Sequence, residues 1–175
     1  IGAYSLSNST VTGCTFIGNS VDPISTSFGG GAIYVYNAAL TASYNRFYNN
    51  SARLGNALAL NTNFNSKVYA ENNWWGSNVD PTTVDNLIYV SDTTSGFVDA
   101  DPWIFLTVNA TPSTINNTQT SLVTASFNNH SSDGITYTTL APNQGHIPDG
   151  TPVNFSLTNG PFGSLLPLTV YTSNG

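Results

Sequence analysis

The chain has 175 residues, of which only 7% are charged, with three basic and nine acidic side chains and a net charge of −6. Arg46, Arg53 and Lys67 are the basic residues, which leaves no footprint for neutralising a phosphate backbone and excludes nucleic acid as a partner. An 18-residue apolar run is absent, so this fragment carries no helical membrane span, while 39% hydrophobic and 12% aromatic residues suffice to build a core.

The first elements echo one another. Gly2-Ala3-Tyr4-Ser5-Leu6 returns as Gly31-Ala32-Ile33-Tyr34-Val35 and again as Asn56-Ala57-Leu58-Ala59-Leu60. Each is followed by a second landmark, Cys14-Thr15-Phe16, Asn45-Arg46-Phe47 and Asn72-Asn73-Trp74, so the pattern recurs every 25–31 residues. Repeats of this length cannot bury a core alone and must stack on their neighbours. Alternation predicts that Ile33 and Val35 face inward while Tyr34 and Tyr36 face outward. The matching inward positions are Tyr4 and Leu6 in the first unit, Leu58 and Leu60 in the third.

Phe16, Phe47 and Trp74 are expected to stack in one interior column, since aromatics bury the largest area per residue. Two residues before each stand Cys14, Asn45 and Asn72, a ladder in which stacked amides bond to one another and to turn backbone. Cys14 fills its slot as a small soft residue. It is the sole cysteine, which excludes an internal disulfide.

Gly30-Gly31-Ala32-Ile33, with Phe16-Ile17-Gly18-Asn19 and Phe47-Tyr48-Asn49-Asn50, resembles the GGA-I/L and FxxN repeats of polymorphic outer-membrane and related surface proteins. Asn72-Asn73-Trp74-Trp75-Gly76-Ser77-Asn78 is similar to the NNWWGSN segment of adhesin-like surface proteins of methanogenic archaea. The resemblance implies a right-handed parallel β-helix over residues 1–78. Its opening inside a repeat unit, at Ile1-Gly2-Ala3, suggests a piece of something longer.

Residues 79–105 read as a cap and joint, with Trp75, Trp103 and Phe105 as plugs for the open end of the stack. Asp99 and Asp101 suggest calcium, but further oxygen ligands cannot be named. From Leu106 the text becomes separate short strands: Leu106–Asn109, Ser121–Phe127, Val153–Leu157 and Leu168–Tyr171. Ala110-Thr111-Pro112-Ser113-Thr114-Ile115 and Ile147-Pro148-Asp149-Gly150-Thr151-Pro152-Val153-Asn154-Phe155 resemble strands of the invasin/intimin-type bacterial Ig-like domain. That likeness implies a β-sandwich over 106–175, truncated because such sandwiches take about 100 residues and seven strands.

The whole is therefore expected to be all-β. Both resemblances imply an extracellular, cell-surface adhesin or stalk, with other surface proteins, glycans or copies of itself as partners, including strand exchange with a neighbouring chain. The alternatives are a subunit of an extracellular filament or sheath and, behind it, a β-helix polysaccharide lyase or glycosidase. The last needs two carboxylates on a common face, and the coils offer only Asp22 and Glu71, at different places in the repeat. No catalytic residue, metal ligand or cofactor is expected. Tyr34 and Tyr36 are candidate glycan contacts, and Asn8, Asn49, Asn109, Asn116, Asn129 and Asn154 head N-glycosylation sequons.

Overall fold

The computed structural model describes residues 1–4, 7–22, 29–61, 66–158 and 163–175, and every regular element among them is a strand. Ten strands come first: β1 (Gly2–Tyr4), β2 (Asn8–Thr12), β3 (Thr15–Ile17), β4 (Ile33–Tyr36), β5 (Ala39–Ser43), β6 (Arg46–Tyr48), β7 (Leu58–Asn61), β8 (Ser66–Tyr69), β9 (Ile88–Val90) and β10 (Gly96–Asp99). All their pairings are parallel, in sheets ordered β1-β4-β7-β9, β2-β5-β8-β10 and β3-β6. The chain visits the sheets in rotation, so each strand lies beside its counterpart one turn later. A parallel bridge between Arg46 and Trp74 continues the third sheet.

The alternation of the sequence decides which face is inside. Ile33, Val35, Leu58, Leu60 and Val68 are fully buried, with Leu40 and Ala42 beside them. Phe16 stacks on Phe47 with ring centroids 5.0 Å apart, and Phe47 stacks on Trp75 at 4.6 Å. The third ring of the column is thus Trp75, not Trp74. Trp74 is the backbone partner of Arg46, which turns outward where Phe47 turns inward, and a shift of one residue reverses the face.

The first turn also departs from expectation. Ala3 pairs with Val35 and Tyr4 with Tyr36, so Tyr4 points outward and is 57% exposed. Leu6 lies outside the described residues. The next strands pair at a different offset: Asn8 with Ala39 and Phe16 with Phe47 lie 31 residues apart, against 32 for Tyr4 and Tyr36. The link from β1 to β2 is one residue longer than that from β4 to β5, and one residue reverses the face, so neither the Gly-Ala match nor the aromatic spacing gives the register of β1.

Seven further strands follow: β11 (Trp103–Ile104), β12 (Thr107–Thr111), β13 (Leu122–Ser126), β14 (Asn129–Ser131), β15 (Thr138–Thr139), β16 (Pro152–Asn154) and β17 (Thr169–Tyr171). They pair antiparallel, in three separate small sheets: β11-β14-β15, β12-β13 and β16-β17. A second core gathers Trp74, Ile104, Phe127, Leu140, Ile147 and Val153. The two neighbouring tryptophans therefore serve different cores, with Trp74 set edge-on against Phe127 at 4.8 Å.

Backbone bonds tie the halves together. Asn72 N–H donates to the Pro102 carbonyl at 2.6 Å, and Ile104 N–H to that of Asn73 at 3.0 Å. Asn78 grips Leu106 at both ends, its amide nitrogen donating to the Leu106 carbonyl and its oxygen accepting from Leu106 N–H, each at 2.8 Å. Trp75 and Trp103 enter the first core, with Trp103 Nε1 donating to the Asn78 carbonyl at 3.2 Å. Phe105 is no plug: it stacks outside on Tyr137, centroids 5.7 Å apart.

Candidate functional surface

Asparagines span the turns. Cys14 N–H donates to Asn45 Oδ1 at 2.9 Å. Asn45 N–H and Nδ2 both donate to Asn73 Oδ1, at 2.9 and 3.0 Å, and Asn73 Nδ2 donates to the carbonyls of Ala42 and Ala70. Asn73 occupies the rung expected of Asn72. The residue preceding each rung is left-handed, Gly13 at φ 61°, Tyr44 at 57° and Asn72 at 56°, which swings Asn72 out of the ladder. Its Oδ1 instead lies 2.9 Å from His130 Nδ1.

Two further ladders were missed. Asn19 donates through N–H and Nδ2 to Asn50 Oδ1, at 3.0 and 2.9 Å. Asn86 Nδ2 reaches Asn56 Oδ1 at 3.3 Å, while its own oxygen accepts from Gly55 N–H at 2.8 Å. The signal for the first was the asparagine of the FxxN motif. At Asn45 and Asn73, both fully buried, the amides satisfy backbone groups that charge could not reach without a large desolvation cost. The Cys14 thiol, half-buried, donates to the Thr12 carbonyl at 3.4 Å.

Tyr34 and Tyr36 alternate outward with the fully buried Ile33 and Val35, and both are partly exposed. Tyr4 meets Tyr34 edge-on at 5.9 Å. Asn61 Nδ2 donates to the Tyr34 hydroxyl at 3.2 Å, and Ser91 Oγ donates to Asn61 Oδ1 at 3.1 Å. Burial raises the Tyr34 pKa above its usual 10.0, against the lowering effect of the Asn61 bond. Strands β1, β4, β7 and β9 hold no charged residue, so this face is neutral.

The third face carries a buried cation. Arg46 is only 8% exposed, lies over the Tyr48 ring at 5.5 Å, and its Nε has no hydrogen-bond partner. Burial lowers its pKa from the usual 12.5, and the Tyr48 hydroxyl raises it by less.

Asp22 and Glu71, the two carboxylates weighed for hydrolysis, lie at different places in the turns. Asp22 follows the Ser20–Ser51 bridge beyond the third sheet, whereas Glu71 lies in the turn after β8. Asp99 and Asp101 border a cleft of about 160 Å³ together with Asp80, and Asp101 N–H donates to Asp99 Oδ1 at 3.2 Å. Among the described residues no group of three or more His, Cys, Asp or Glu could hold a metal ion.

Five of the sequon asparagines, Asn8, Asn49, Asn109, Asn116 and Asn154, are exposed. Asn129 is not: it is 6% exposed, its Nδ2 donates to Thr107 Oγ1 at 2.9 Å and its Oδ1 accepts from Thr139 Oγ1 at 3.0 Å. In the folded chain that amide is closed to modification.

No family model, curated protein or solved structure matches this chain.

Proposed function

We propose that the chain is part of an extracellular cell-surface adhesin or stalk that displays and binds and does not catalyse. On this reading residues 1–78 are coils of a right-handed parallel β-helix, 79–105 cap it, and 106–175 are an incomplete Ig-like sandwich. One observation carries the proposal: successive turns pair in parallel and in register, and Asn78 fastens the end of that stack to the antiparallel half. A rod joined firmly to a second unit suits holding a surface away from its anchor. The separation of Asp22 from Glu71 and the neutral tyrosine face favour binding over bond cleavage.

A second reading, a filament or sheath subunit assembling through strand exchange, draws on the β16–β17 pair. It stands alone as a two-stranded sheet, with Leu166 84%, Leu168 58% and Tyr171 69% exposed around it, and an uncovered edge of this kind accepts a strand from a neighbour.

Antibodies raised against the folded chain test the first reading on intact source cells. Labelling without permeabilisation is expected, and labelling only after permeabilisation would overturn it. Mass photometry of native material separates the second, which requires a ladder of multiples of the chain mass.

A further inference from the structure

The antiparallel half contains a cavity of about 380 Å³ that the surface reading leaves unused. Its volume falls within the range of about 300–1,000 Å³ typical of small-molecule sites. Tyr137 forms one wall, 54% exposed, and Phe105 braces the ring with an interplanar angle of 16°. His130 lies in the lining, paired along the strands with Thr138. The Asn72 amide fixes it from the other half of the chain. With Nδ1 engaged by Asn72, Nε2 is the ring nitrogen left for a ligand. Ser132, Thr136 and Thr138 add hydroxyls to the lining.

We propose that this cavity binds one neutral pyranose unit of a glycan. A braced, half-exposed phenol ring offers a flat apolar face to the C–H side of a sugar. The side-chain hydroxyls and the imidazole line the same cavity and suit sugar hydroxyls, which both donate and accept. Charge chooses among sugars. Asp133, also in the lining, accepts from Ile135 N–H, Thr136 N–H and Thr136 Oγ1 at 2.7–2.8 Å, and neither lysine nor arginine lines the cavity. A fixed carboxylate without a cation repels uronic and sialic acids. Asn72 acts through His130 and is a positioning residue. The proposal deepens the adhesin reading and rests on it for biological meaning, but its chemistry can be tested alone.

Isothermal titration of the full chain against methyl glycosides of neutral hexoses and N-acetylhexosamines, with methyl glucuronide as the acidic control, measures it directly. Binding of a neutral probe and none of the glucuronide is expected. Tyr137→Ala should weaken binding about tenfold, the scale of truncating an aromatic anchor, and Tyr137→Phe should leave it within about threefold. Thermal melts establish that each variant folds. Absence of binding by all neutral probes, equal binding of glucuronide, or undiminished binding by a folded Tyr137→Ala variant would each overturn the proposal. Failure here alongside labelling of intact cells removes the cavity and leaves the adhesin reading standing; binding here with labelling only inside cells does the reverse.

Discussion

The parallel turns and the antiparallel half are built from similar residues but bury them differently. In the turns every interior position is repeated one rung away, so a short strand of three to five residues still finds a partner and its apolar side chains reach full burial. In the antiparallel half, strands of similar length are divided among three small sheets. Val108, Leu122, Ile135 and Leu157 stay more than half exposed. Repetition supplies long-range partners that a non-repeating segment must find one at a time.

The contrast is sharpest at the aromatic rings. Phe47 is 1% exposed between Phe16 and Trp75, and Phe47→Ala is expected to cost about 3–5 kcal/mol, because rings held on both sides cannot collapse into the gap. Phe127, 2% exposed against Trp74, sits among shorter sheets that can close around the loss, so Phe127→Ala should cost less. Denaturant melts of the two variants measure this directly. An equal or larger loss for Phe127→Ala would mean that the two cores are equally rigid.

A smaller effect separates the two neighbouring asparagines. Asn73 is fully buried and its amide serves Asn45 and two carbonyls. Asn73→Ala leaves those groups unsatisfied at about 1–3 kcal/mol. Asn72 is partly exposed, and Asn72→Ala, which removes its contact with His130 and puts alanine at a left-handed φ, should cost about 1 kcal/mol. Chemical denaturation of both variants checks the assignment, and a larger cost at Asn72 would return the ladder to the wrong rung.

The same pair marks how far the sequence could be read. The two-residue step from ladder residue to column ring was legible at Cys14–Phe16 and Asn45–Phe47, and it holds in the third turn as Asn73–Trp75. Two asparagines followed by two tryptophans leave the frame undetermined by one residue, and only the contact of Trp74 with Phe127 resolves it. The inward alternation of Ile33, Val35, Leu58 and Leu60 was legible because both faces of the pattern differ in polarity. Tyr4 was misplaced because the link from β1 to β2 holds one residue more than its counterpart between β4 and β5, a difference that neither the Gly-Ala match nor the aromatic spacing of 31 records. The cavity beside His130 is formed mostly within one short segment, where the β14–β15 pairing brings His130 and Tyr137 together, and only the contact of Asn72 with His130 arrives through the joint between the halves.

The least change is expected from acid, and it compares one turn from each region. Asp92 accepts from Ser95 Oγ, Thr94 Oγ1 and Thr94 N–H, and Asp133 from Ile135 N–H, Thr136 Oγ1 and Thr136 N–H. These bonds hold both carboxyls down from 3.8 to about 2. A folded pKa below the unfolded one means that each contributes stability above pH 3.8 and loses it as pH falls through about 2. Both carboxyls are exposed to solvent, so water screens the contribution. The melting temperature should therefore stay level on acidification to about pH 4 and decline between there and pH 2. Asp133→Asn should flatten that decline in the antiparallel half, where the turn between β14 and β15 depends on it, and leave the parallel turns unaltered. A decline already complete above pH 5 would show that the two carboxyls do not set the acid sensitivity.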